Sequence, residues 1–369
     1  MKIVADAQIP YLQDYFSSHG DLVLIPGRQI TRRDVLDADI LLVRSITHVD
    51  ENLLSGSRVK FVGSVTAGAD HLDTQWLDGA GIAWSVAAAF NAPPVADYVV
   101  SVIAALQQKK LLTRKQAKIA VIGVGNVGRL VVERLRQLHF EVILCDPLRA
   151  QNENNFISTP LQDIRDVDAI SLHVPLIKSG DHATFHFIDQ DFLQRQKPDC
   201  VLINASRGAV INSDALLQDG RHLHWCLDVW EHEPKIRKDI LGHALIATPH
   251  IAGYSVQSKI RGIQIIYQIA CARKIISEGV AAHRDMPTQV LDFPEHALDW
   301  QTVVLSVFNP LAMTEEMQGL LKPAVEYASL FDEIRHEFNY RYEFAYTQVK
   351  GARLAPEDVR ILKALGMKV

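Results

Sequence analysis

The chain has 369 residues, 48% of them hydrophobic and 22% charged, as expected for a globular protein of two or three domains. A formal net charge of −5 leaves no basic excess for binding nucleic-acid phosphates or an anionic membrane surface. There is no run of eighteen apolar residues, and the first ten residues predict a short strand instead of a signal peptide. The four cysteines are widely spaced, which favours free thiols in a reducing compartment. We therefore expect a cytoplasmic protein without nucleic-acid or membrane partners.

The first ninety residues alternate short apolar runs with helical stretches, a pattern typical of a parallel sheet with helical crossovers. The predicted strands are residues 2–5, 22–25, 40–43 and 61–64, with a helix over 8–19. The segment Asn91-Ala-Pro-Pro94 then breaks the pattern and opens a helix, because proline is tolerated in a first helical turn. We place a domain boundary at this break.

A second alternating pattern begins near residue 118 and predicts a doubly wound sheet of six or seven strands. Its strands are predicted at residues 119–122, 141–145, 168–173, 200–204, 225–229 and 244–247, with a helix over 127–138. A long helix over 255–277 is expected to return the chain to the first domain. Beyond it we expect a loop to residue 298, a strand over 301–307, helices over 313–338 and 356–365, and a strand over 342–349.

These patterns predict an α/β protein of three parts. A Rossmann domain with a doubly wound parallel sheet covers residues 94–254. A flavodoxin-like substrate domain, acting as a lid, covers residues 1–93 plus 255–280. A small α/β appendage covers residues 281–369.

The strongest motif is Gly123-x-Gly125-x-x-Gly128, which follows one predicted strand and opens a predicted helix. In that context the glycines allow a tight turn, a close approach of the backbone to a pyrophosphate, and close packing of helix on strand. Asp146 ends the next strand, eighteen residues after Gly128. A carboxylate there can accept hydrogen bonds from the adenosine ribose and would repel a 2′-phosphate, so NAD is favoured over NADP. The alternative is a glycine-rich turn beside an incidental aspartate.

Three further motifs follow strands of the same predicted sheet. They read Asn204-Ala-Ser-Arg-Gly208, Asp228-Val-Trp-Glu-His-Glu-Pro234 and Thr248-Pro-His-Ile-Ala-Gly253. Because ligands of open α/β sheets bind beyond the carboxyl ends of the strands, all three motifs are expected at the cofactor crevice. Taken singly, each polar residue here has an ordinary structural explanation, such as a strand cap or a turn. Their joint order beside a cofactor motif favours catalysis.

The order of these motifs, from about residue 40 to 260, resembles the D-2-hydroxyacid dehydrogenase family. The resemblance implies that Arg207, Glu233 and His250 are catalytic. The chemistry agrees, because oxidation of a secondary alcohol needs a base, a carboxylate to orient it and a cation for the substrate carboxylate. It further implies that Asp228 meets the nicotinamide and that the segment 173–175 lines the cofactor.

The NAD contacts implied by the motif and the resemblance form a larger set. They are Gly123, Gly125, Asn126, Val127, Gly128, Asp146, Val174, Ala205, Ser206, Arg207, Asp228 and Gly253. Two of them depart from the family pattern, since Ser206 stands where cysteine is common and Val174 stands where a hydroxyl-bearing residue is expected. We expect no change of reaction from Ser206 and a modest loss of NAD affinity from Val174.

The resemblance narrows to the branch of the family that oxidises 4-phospho-D-erythronate at C2 in pyridoxal phosphate synthesis. The features that carry it are the segments 43–47 and 62–71, the short link over 109–118, Tyr254 after the catalytic loop, and the appendage. Ser45, Thr66 and Tyr254 are then expected to contact substrate, with backbone N–H groups of residues 65–69 on its carboxylate. Arg44 is either the phosphate ligand or an ion-paired strand-end arginine. The appendage is implied to form a homodimer, and Arg341 to reach a partner's site.

Two other functions stay open at this level. The first is another D-2-hydroxyacid dehydrogenase, acting on 3-phosphoglycerate or on glycerate and hydroxypyruvate. The second is a catalytically silent NAD-sensing protein, against which the complete catalytic trio argues. His222, His224 and His232 lack the spacing of metal ligands, so no metal is expected.

Overall fold

A computed structural model describes residues 1–112, 117–279, 285–322 and 327–369. These residues form two compact units, one of residues 1–91 with 256–287 and one of residues 92–255 with 288–369. In the described part of the chain no helix combines the length and the apolar character that a membrane crossing requires.

The described residues form fifteen strands and fifteen α-helices. The strands are Lys2–Asp6 (β1), Asp21–Ile25 (β2), Ile40–Val43 (β3), Phe61–Ser64 (β4), Ala83–Val86 (β5), Lys118–Ile122 (β6), Glu141–Cys145 (β7), Ala169–Leu172 (β8), Val201–Asn204 (β9), His224–Leu227 (β10), Ile246–Ala247 (β11), Gln289–Asp292 (β12), Ala297–Leu298 (β13), Thr347–Lys350 (β14) and Arg353–Leu354 (β15). The helices are Leu12–Phe16 (α1), Arg32–Val35 (α2), Glu51–Leu54 (α3), Thr74–Gly79 (α4), Ala92–Gln108 (α5), Asn126–Gln137 (α6), Pro147–Asn152 (α7), Gln190–Gln194 (α8), Ser213–Asp219 (α9), Lys238–His243 (α10), Val256–Ala272 (α11), Trp300–Val307 (α12), Pro310–Gln318 (α13), Tyr327–Glu337 (α14) and Pro356–Ala364 (α15).

The first unit is built on a five-stranded parallel sheet in the order β2-β1-β3-β4-β5. β3 and β4 are buried along their whole length, which explains their continuous apolar sequence. Helix α11 packs on the sheet so closely that a Cβ on Gly63 would lie 2.6 Å from Ile266. The predicted flavodoxin-like sheet is confirmed, and β5 is an additional strand that the sequence patterns did not predict.

The second unit carries a six-stranded parallel sheet in the order β11-β10-β9-β8-β6-β7. β6 pairs with β7 on one side and with β8 on the other, so the direction of winding reverses between β6 and β8. A ligand crevice is expected beyond the carboxyl ends of strands at such a reversal. The predicted doubly wound Rossmann sheet is confirmed, with six strands.

The C-terminal segment, residues 288–369, packs onto this sheet through α5. The side chains of Val303, Val304 and Phe308 belong to the same buried cluster as the apolar residues of α5, and the ring of Phe308 lies 5.9 Å from that of Tyr98. The parallel strand pairs β12–β14 and β13–β15 complete the segment. Dimerisation through this segment stays a prediction.

Several predicted elements in this segment were wrong. Residues 301–307 form the helix α12 and not a strand, because Asp299 caps its first turn and Trp300, Val303 and Val304 bury one helical face. Burial of that face outweighs the strand preference of the valines. The expected loop before residue 298 contains β12 and β13, and the strand expected over 342–349 begins only at Thr347.

Other helices differ from their predictions in extent. The helix expected over 8–19 is limited to Leu12–Phe16, and the returning helix ends at Ala272 instead of 277. The helix expected over 313–338 consists of α13 and α14, with residues 323–326 outside the described part. The short link over 109–118 also lies partly outside it, at residues 113–116.

Candidate active site

The phosphate-binding turn lies where β6 ends and α6 begins. Gly123 has a φ of 85°, and a Cβ on it would lie 2.6 Å from the carbonyl oxygen of His173. A Cβ on Gly128 would lie 1.9 Å from the carbonyl oxygen of Gly123. The helix can therefore pack this close to the turn only because residue 128 is glycine. A Cβ on Gly125 would meet no atom of the described residues within 4 Å. Gly125 therefore borders open space at the start of a helix, which fits a pyrophosphate.

Asp146 is joined to this turn by its carboxylate. Oδ2 accepts a hydrogen bond from the Val124 N–H at 2.8 Å, and Oδ1 accepts one from the Arg149 N–H at 2.9 Å, which caps α7. The Arg149 guanidinium lies over the ring of Phe156, 4.4 Å from its centroid, and donates to the Val124 carbonyl at 3.0 Å. An acidic group held at the end of β7 suits the two hydroxyl groups of an adenosine ribose. Asn126 and Val127 open α6 beside it.

The segment after β8 borders the same turn. His173 donates or accepts a hydrogen bond through Nε2 with the Ser171 hydroxyl at 2.8 Å, while its buried Nδ1 has no partner among the residues that the structure describes. Burial lowers the pKa of His173 to about 3, so the ring is neutral. Val174 follows directly, half-buried, and its side chain would contact a Cβ on Gly123. A neutral, apolar wall beside the glycine turn is compatible with a bound dinucleotide.

Arg207 is presented by a tight turn after β9. Asn204 organises the turn, because its Oδ1 accepts from both the N–H and the hydroxyl of Ser206 and its Nδ2 donates to the Arg207 carbonyl. Arg207 in turn donates to the Ser206 carbonyl at 2.9 Å. A Cβ on Gly208 would lie 2.0 Å from the backbone of Trp230, so the turns after β9 and β10 are in direct contact. Ala205 and Ser206 thus share one rigid turn with Arg207.

Glu233 and His250 form a hydrogen-bonded pair, with 2.7 Å between Oε2 and Nδ1. The other carboxylate oxygen of Glu233 accepts from the Trp230 N–H at 2.8 Å, and the Trp230 indole donates to the Thr248 carbonyl. A carboxylate on Nδ1 keeps the proton on that nitrogen and leaves Nε2 as the basic atom. The imidazole is 32% exposed, so a substrate can reach it.

Burial raises the pKa of Glu233, but the charge and hydrogen bond of His250, the charge of Arg335 and the Trp230 N–H outweigh it. The pKa of Glu233 therefore lies below its ordinary value. An ionised glutamate at this position stabilises the imidazolium that forms when His250 accepts a proton.

Asp228 holds the loop that carries His250. Its fully buried carboxylate accepts from the Thr248 hydroxyl at 2.6 Å and from the N–H groups of Ile251 and Ala252 at 2.8 and 3.0 Å. Burial raises the pKa of Asp228 against the opposing effect of these donors and of His250. The hydroxyl of Tyr98 extends this network to α5 through Thr248, at 2.9 Å. The contact expected between Asp228 and nicotinamide stays a prediction.

The sequence suggested that Arg341 reaches a partner's site, but the structure shows it buried within its own unit. It is buried, with 6% of its surface exposed, and its guanidinium donates to the carbonyls of Pro94, Ile251 and Ala252. It therefore braces the His250 loop within its own unit. Gly253 and Tyr254 end that loop, and the Tyr254 N–H donates to the Ile251 carbonyl. No local sequence signal marks Tyr98 or Arg341 as parts of this network.

In the first unit, the expected substrate residues lie beyond the carboxyl ends of β3 and β4, which are neighbours in the sheet. Ser45 is exposed, and the hydroxyl of Thr66 contacts the Ser64 hydroxyl at 2.8 Å and donates to the Gly68 carbonyl. Arg44 forms an ion pair with Asp6 at 2.7 Å and donates to Gln8 at 2.6 Å. Of the two alternatives for Arg44, the structure shows the ion pair.

Among the described residues no group of three His, Cys, Asp or Glu side chains is arranged to hold a metal ion. His222 contacts the carbonyl oxygen of Gln196 at 3.1 Å. His224 lies 3.7 Å from Asp199, and His232 lies 3.8 Å from Glu231. These histidines make pairwise contacts of the kind expected at a surface.

Residues 96–252 match the family model of the D-isomer specific 2-hydroxyacid dehydrogenase NAD binding domain. Among solved structures, the NAD and lactic acid complex of D-lactate dehydrogenase from Aquifex aeolicus has a TM-score of 0.61 and 23% identity. The matched region covers 74% of this chain and 96% of the D-lactate dehydrogenase chain. NAD-bound 3-phosphoglycerate dehydrogenase of Entamoeba histolytica is similar to the same extent, with a TM-score of 0.61 and 21% identity. These two likenesses establish the fold.

Curated relatives cover nearly the whole chain. Erythronate-4-phosphate dehydrogenase of Coxiella burnetii (strain RSA 331) is 43% identical over 356 residues, which is 95% of both chains. The enzyme of the same name from Pseudomonas aeruginosa (strain UCBPP-PA14) is 37% identical over 382 residues, which is 100% of both.

The sheet, the glycine turn and the Glu–His pair define an NAD-dependent dehydrogenase of the D-2-hydroxyacid class. The predictions of this class and of NAD as cofactor are confirmed. The chain belongs to the family of erythronate-4-phosphate dehydrogenases.

Proposed function

We propose that this chain oxidises 4-phospho-D-erythronate at C2 with NAD and forms 3-hydroxy-2-oxo-4-phosphooxybutanoate, a step of pyridoxal phosphate synthesis. The observation that carries the proposal is the identity of 37–43% with erythronate-4-phosphate dehydrogenases over 95–100% of both chains. The D-lactate and 3-phosphoglycerate dehydrogenases cover only 74% of this chain. Similarity to the erythronate-4-phosphate dehydrogenases thus extends over more of the chain than similarity to enzymes for other hydroxy acids.

The proposed reaction removes two hydrogens from the C2 carbinol. The proton of the hydroxyl group passes to Nε2 of His250, and the C2 hydrogen leaves with its electron pair as a hydride while the C=O bond forms. NAD, when bound, supplies the nicotinamide that accepts this hydride. Glu233 holds the imidazole in the required tautomer and stabilises its positive charge at a hydrogen bond of 2.7 Å.

Arg207 is proposed to hold the substrate carboxylate and the developing carbonyl oxygen, since a guanidinium matches a carboxylate with two parallel donors. Ser45, Thr66 and Tyr254, with backbone N–H groups of residues 65–69, are proposed to complete the substrate site. The ion pair of Arg44 with Asp6 weakens the case for Arg44 as the phosphate ligand.

NAD is proposed to bind along the glycine turn, with the pyrophosphate at the start of α6 and the adenosine ribose on Asp146. Val174, Ala205, Ser206, Asp228 and Gly253 are proposed to line the rest of the cofactor. The open space at Gly125 and the anchored carboxylate of Asp146 support this arrangement.

We further propose a cytoplasmic homodimer formed by the C-terminal segment. Large apolar side chains of that segment are exposed in the single chain, among them Val290 at 51% and Tyr340 at 38%. Light scattering should give twice the chain mass of 41.2 kDa, and a mass of one chain at micromolar concentration would contradict the dimer.

The activity is tested by following NADH formation with 4-phospho-D-erythronate, 3-phosphoglycerate and D-glycerate. A parallel assay contains a 2-oxo acid as oxidant and is read by product, in case tightly held NADH conceals turnover. We expect the largest kcat/KM with 4-phospho-D-erythronate. Preference for another acid would overturn the substrate, and no turnover with any acid would favour the NAD-sensing alternative.

A further inference from the structure

The C-terminal helix α14 brings an arginine to the catalytic loop. The guanidinium carbon of Arg335 lies over the Tyr254 ring, 5.5 Å from its centroid. Tyr340, just beyond the same helix, meets the Tyr254 ring edge-on at 5.8 Å. Tyr254 is therefore held between two side chains of a segment that lies some eighty residues further along the chain.

Arg335 is also close enough to the catalytic carboxylates to interact with their charges. It is one of the cations that lower the pKa of Glu233, and in return Glu233 and Asp228 raise the pKa of Arg335. The charged groups that act on Glu233 are His250 from the loop after β11 and Arg335 from α14, and Asp228 from the end of β10 interacts with both of these groups. Arg335 and a protonated His250 are the cations of this set.

Packing alone does not account for an arginine here. The residue is half-buried, yet its Nε is inaccessible to solvent and has no hydrogen-bond partner among the described residues. A buried donor left without an acceptor is unfavourable, so methionine or leucine would fill the same space at lower cost. The unpaired N–H is tolerated because the positive charge of Arg335 is stabilised by the carboxylates of Glu233 and Asp228.

We propose that Arg335 is a positioning residue for the reaction, which holds Tyr254 in place and presents its charge to Glu233, so that the C-terminal segment serves catalysis as well as packing. Arg335 acts through these two residues and not on the reacting atoms. The proposal rests on the proposed function only in assuming that the Glu233–His250 pair removes the substrate proton.

The test compares Arg335→Met, which removes the charge and keeps the length of the side chain, with Arg335→Lys, which keeps the charge. Arg360→Met is the matched control, because Arg360 is an exposed arginine on α15. All three proteins are compared with wild type in NAD affinity, melting temperature and the pH dependence of kcat/KM with 4-phospho-D-erythronate and D-glycerate.

For Arg335→Met we expect unchanged NAD affinity and kcat lower by roughly ten- to a hundredfold with both substrates, as for a misplaced catalytic group. Its acidic limb should move to higher pH, because loss of a nearby cation makes protonation of the Glu233–His250 pair easier. Arg335→Lys should keep the wild-type acidic limb, and Arg360→Met should match wild type throughout.

Three results would overturn the proposal. The first is an unmoved acidic limb in Arg335→Met. The second is an equal loss in the Met and Lys variants accompanied by a lower melting temperature, which would indicate packing. The third is a rise in KM for the phosphorylated substrate alone, which would indicate direct phosphate binding.

A turnover-independent readout separates this proposal from the proposed function. Carbon-13 NMR of the NAD-bound protein follows the titration of the Glu233 carboxylate whether or not any substrate reacts. An upward shift of that titration in Arg335→Met, absent in Arg335→Lys, would support the positioning role even if the substrate proved to be wrong. No difference between the two variants would contradict it.

Discussion

At the scale of single residues, the site depends on side chains that are held in place by one or two specific hydrogen bonds. Glu233 is the clearest case, since one oxygen is bonded to His250 and the other to the Trp230 N–H. Because both oxygens are hydrogen-bonded, the carboxylate is fixed in one orientation, and it holds the imidazole in place before substrate binds. Such preorganisation lowers the barrier because no rearrangement is needed during proton transfer.

The first prediction concerns this pair. His250→Ala should lower kcat by roughly a thousandfold and leave NAD affinity within about twofold, because a general base is lost while the cofactor turn is untouched. Glu233→Gln should lower kcat by a smaller factor, since an amide can still bond to Nδ1 but cannot stabilise the imidazolium. Stopped-flow kinetics and NAD titration measure both. Loss of NAD binding in His250→Ala would mean that the histidine is structural.

The glycine turn offers a second prediction with an internal control. Gly125→Ala should leave the melting temperature unchanged and weaken NAD binding by about tenfold or more, because its methyl group enters only the open space proposed for the pyrophosphate. Gly128→Ala should destabilise the protein itself, since its Cβ would lie 1.9 Å from the Gly123 carbonyl oxygen. Calorimetry and NAD titration separate the two effects. If Gly125→Ala bound NAD as tightly as wild type, the proposed position of the pyrophosphate at this turn would be wrong.

At the scale of elements, α5 is the framework against which the second unit is assembled. Its Asp97 forms an ion pair with Arg134 of α6 at 2.9 Å and accepts from the N–H of Phe344 at 2.8 Å. One buried carboxylate thus ties two helices to the C-terminal segment. Tyr98, the next residue, connects the same helix to Thr248 and so to Asp228.

The third prediction follows from this junction. Asp97→Ala should lower the free energy of unfolding by about 3 to 5 kcal/mol, because it leaves the half-buried Arg134 charge without its carboxylate and the buried Phe344 N–H without an acceptor. Asp97→Asn should cost less, since the amide oxygen can still accept from Phe344. Urea unfolding at pH 7 measures both. Equal stability of the two variants would show that the hydrogen bond contributes nothing.

The pH dependence of these variants has a definite sign. Burial raises the pKa of Asp97 from 3.8 to about 6, against the opposing effect of Arg134. Between these two values the folded protein binds more protons than the unfolded chain, so this group's contribution to stability falls as pH rises. The stability of wild type relative to Asp97→Asn should therefore decrease from pH 4 to pH 7. An increase over that range would contradict the raised pKa.

At the scale of the whole molecule, the C-terminal segment belongs to the compact unit of the NAD-binding sheet. Its helix α12 shares a buried cluster with α5, and Arg341 binds carbonyl groups of the catalytic loop. The segment therefore supports the site directly, whatever its part in forming a dimer.

The fourth prediction tests this dependence. A chain ending at residue 287 should lose cooperative melting and NAD binding, because the apolar face of α5 that meets Val303, Val304 and Phe308 would be exposed to water. Near-ultraviolet circular dichroism and NAD titration of the shortened chain provide the measurement. A shortened chain that melts cooperatively and binds NAD normally would show that residues 288–369 form an independent domain.

Much of the fold follows from the sequence because its signals are local. The glycine turn, the preceding apolar strand and the acid at the next strand end lie within about thirty residues, and each residue type is required by backbone geometry or by charge. The three motifs after β9, β10 and β11 are ordered along the chain in the same way. Since carboxyl ends of parallel strands meet at one edge, their order alone predicts that they form one site.

Tertiary structure decided what has no local signal. The valines of α12 favour a strand by residue type, and only burial of a helical face on α5 makes them helical. The sequence left Arg44 as either a phosphate ligand or an ion-paired arginine, and the pairing with Asp6 is visible only in the structure. Arg335 and Arg341 reach the catalytic loop from some eighty to ninety residues downstream. Contacts over such separations depend on how the core packs, and the spacing of side chains along the chain does not predict them.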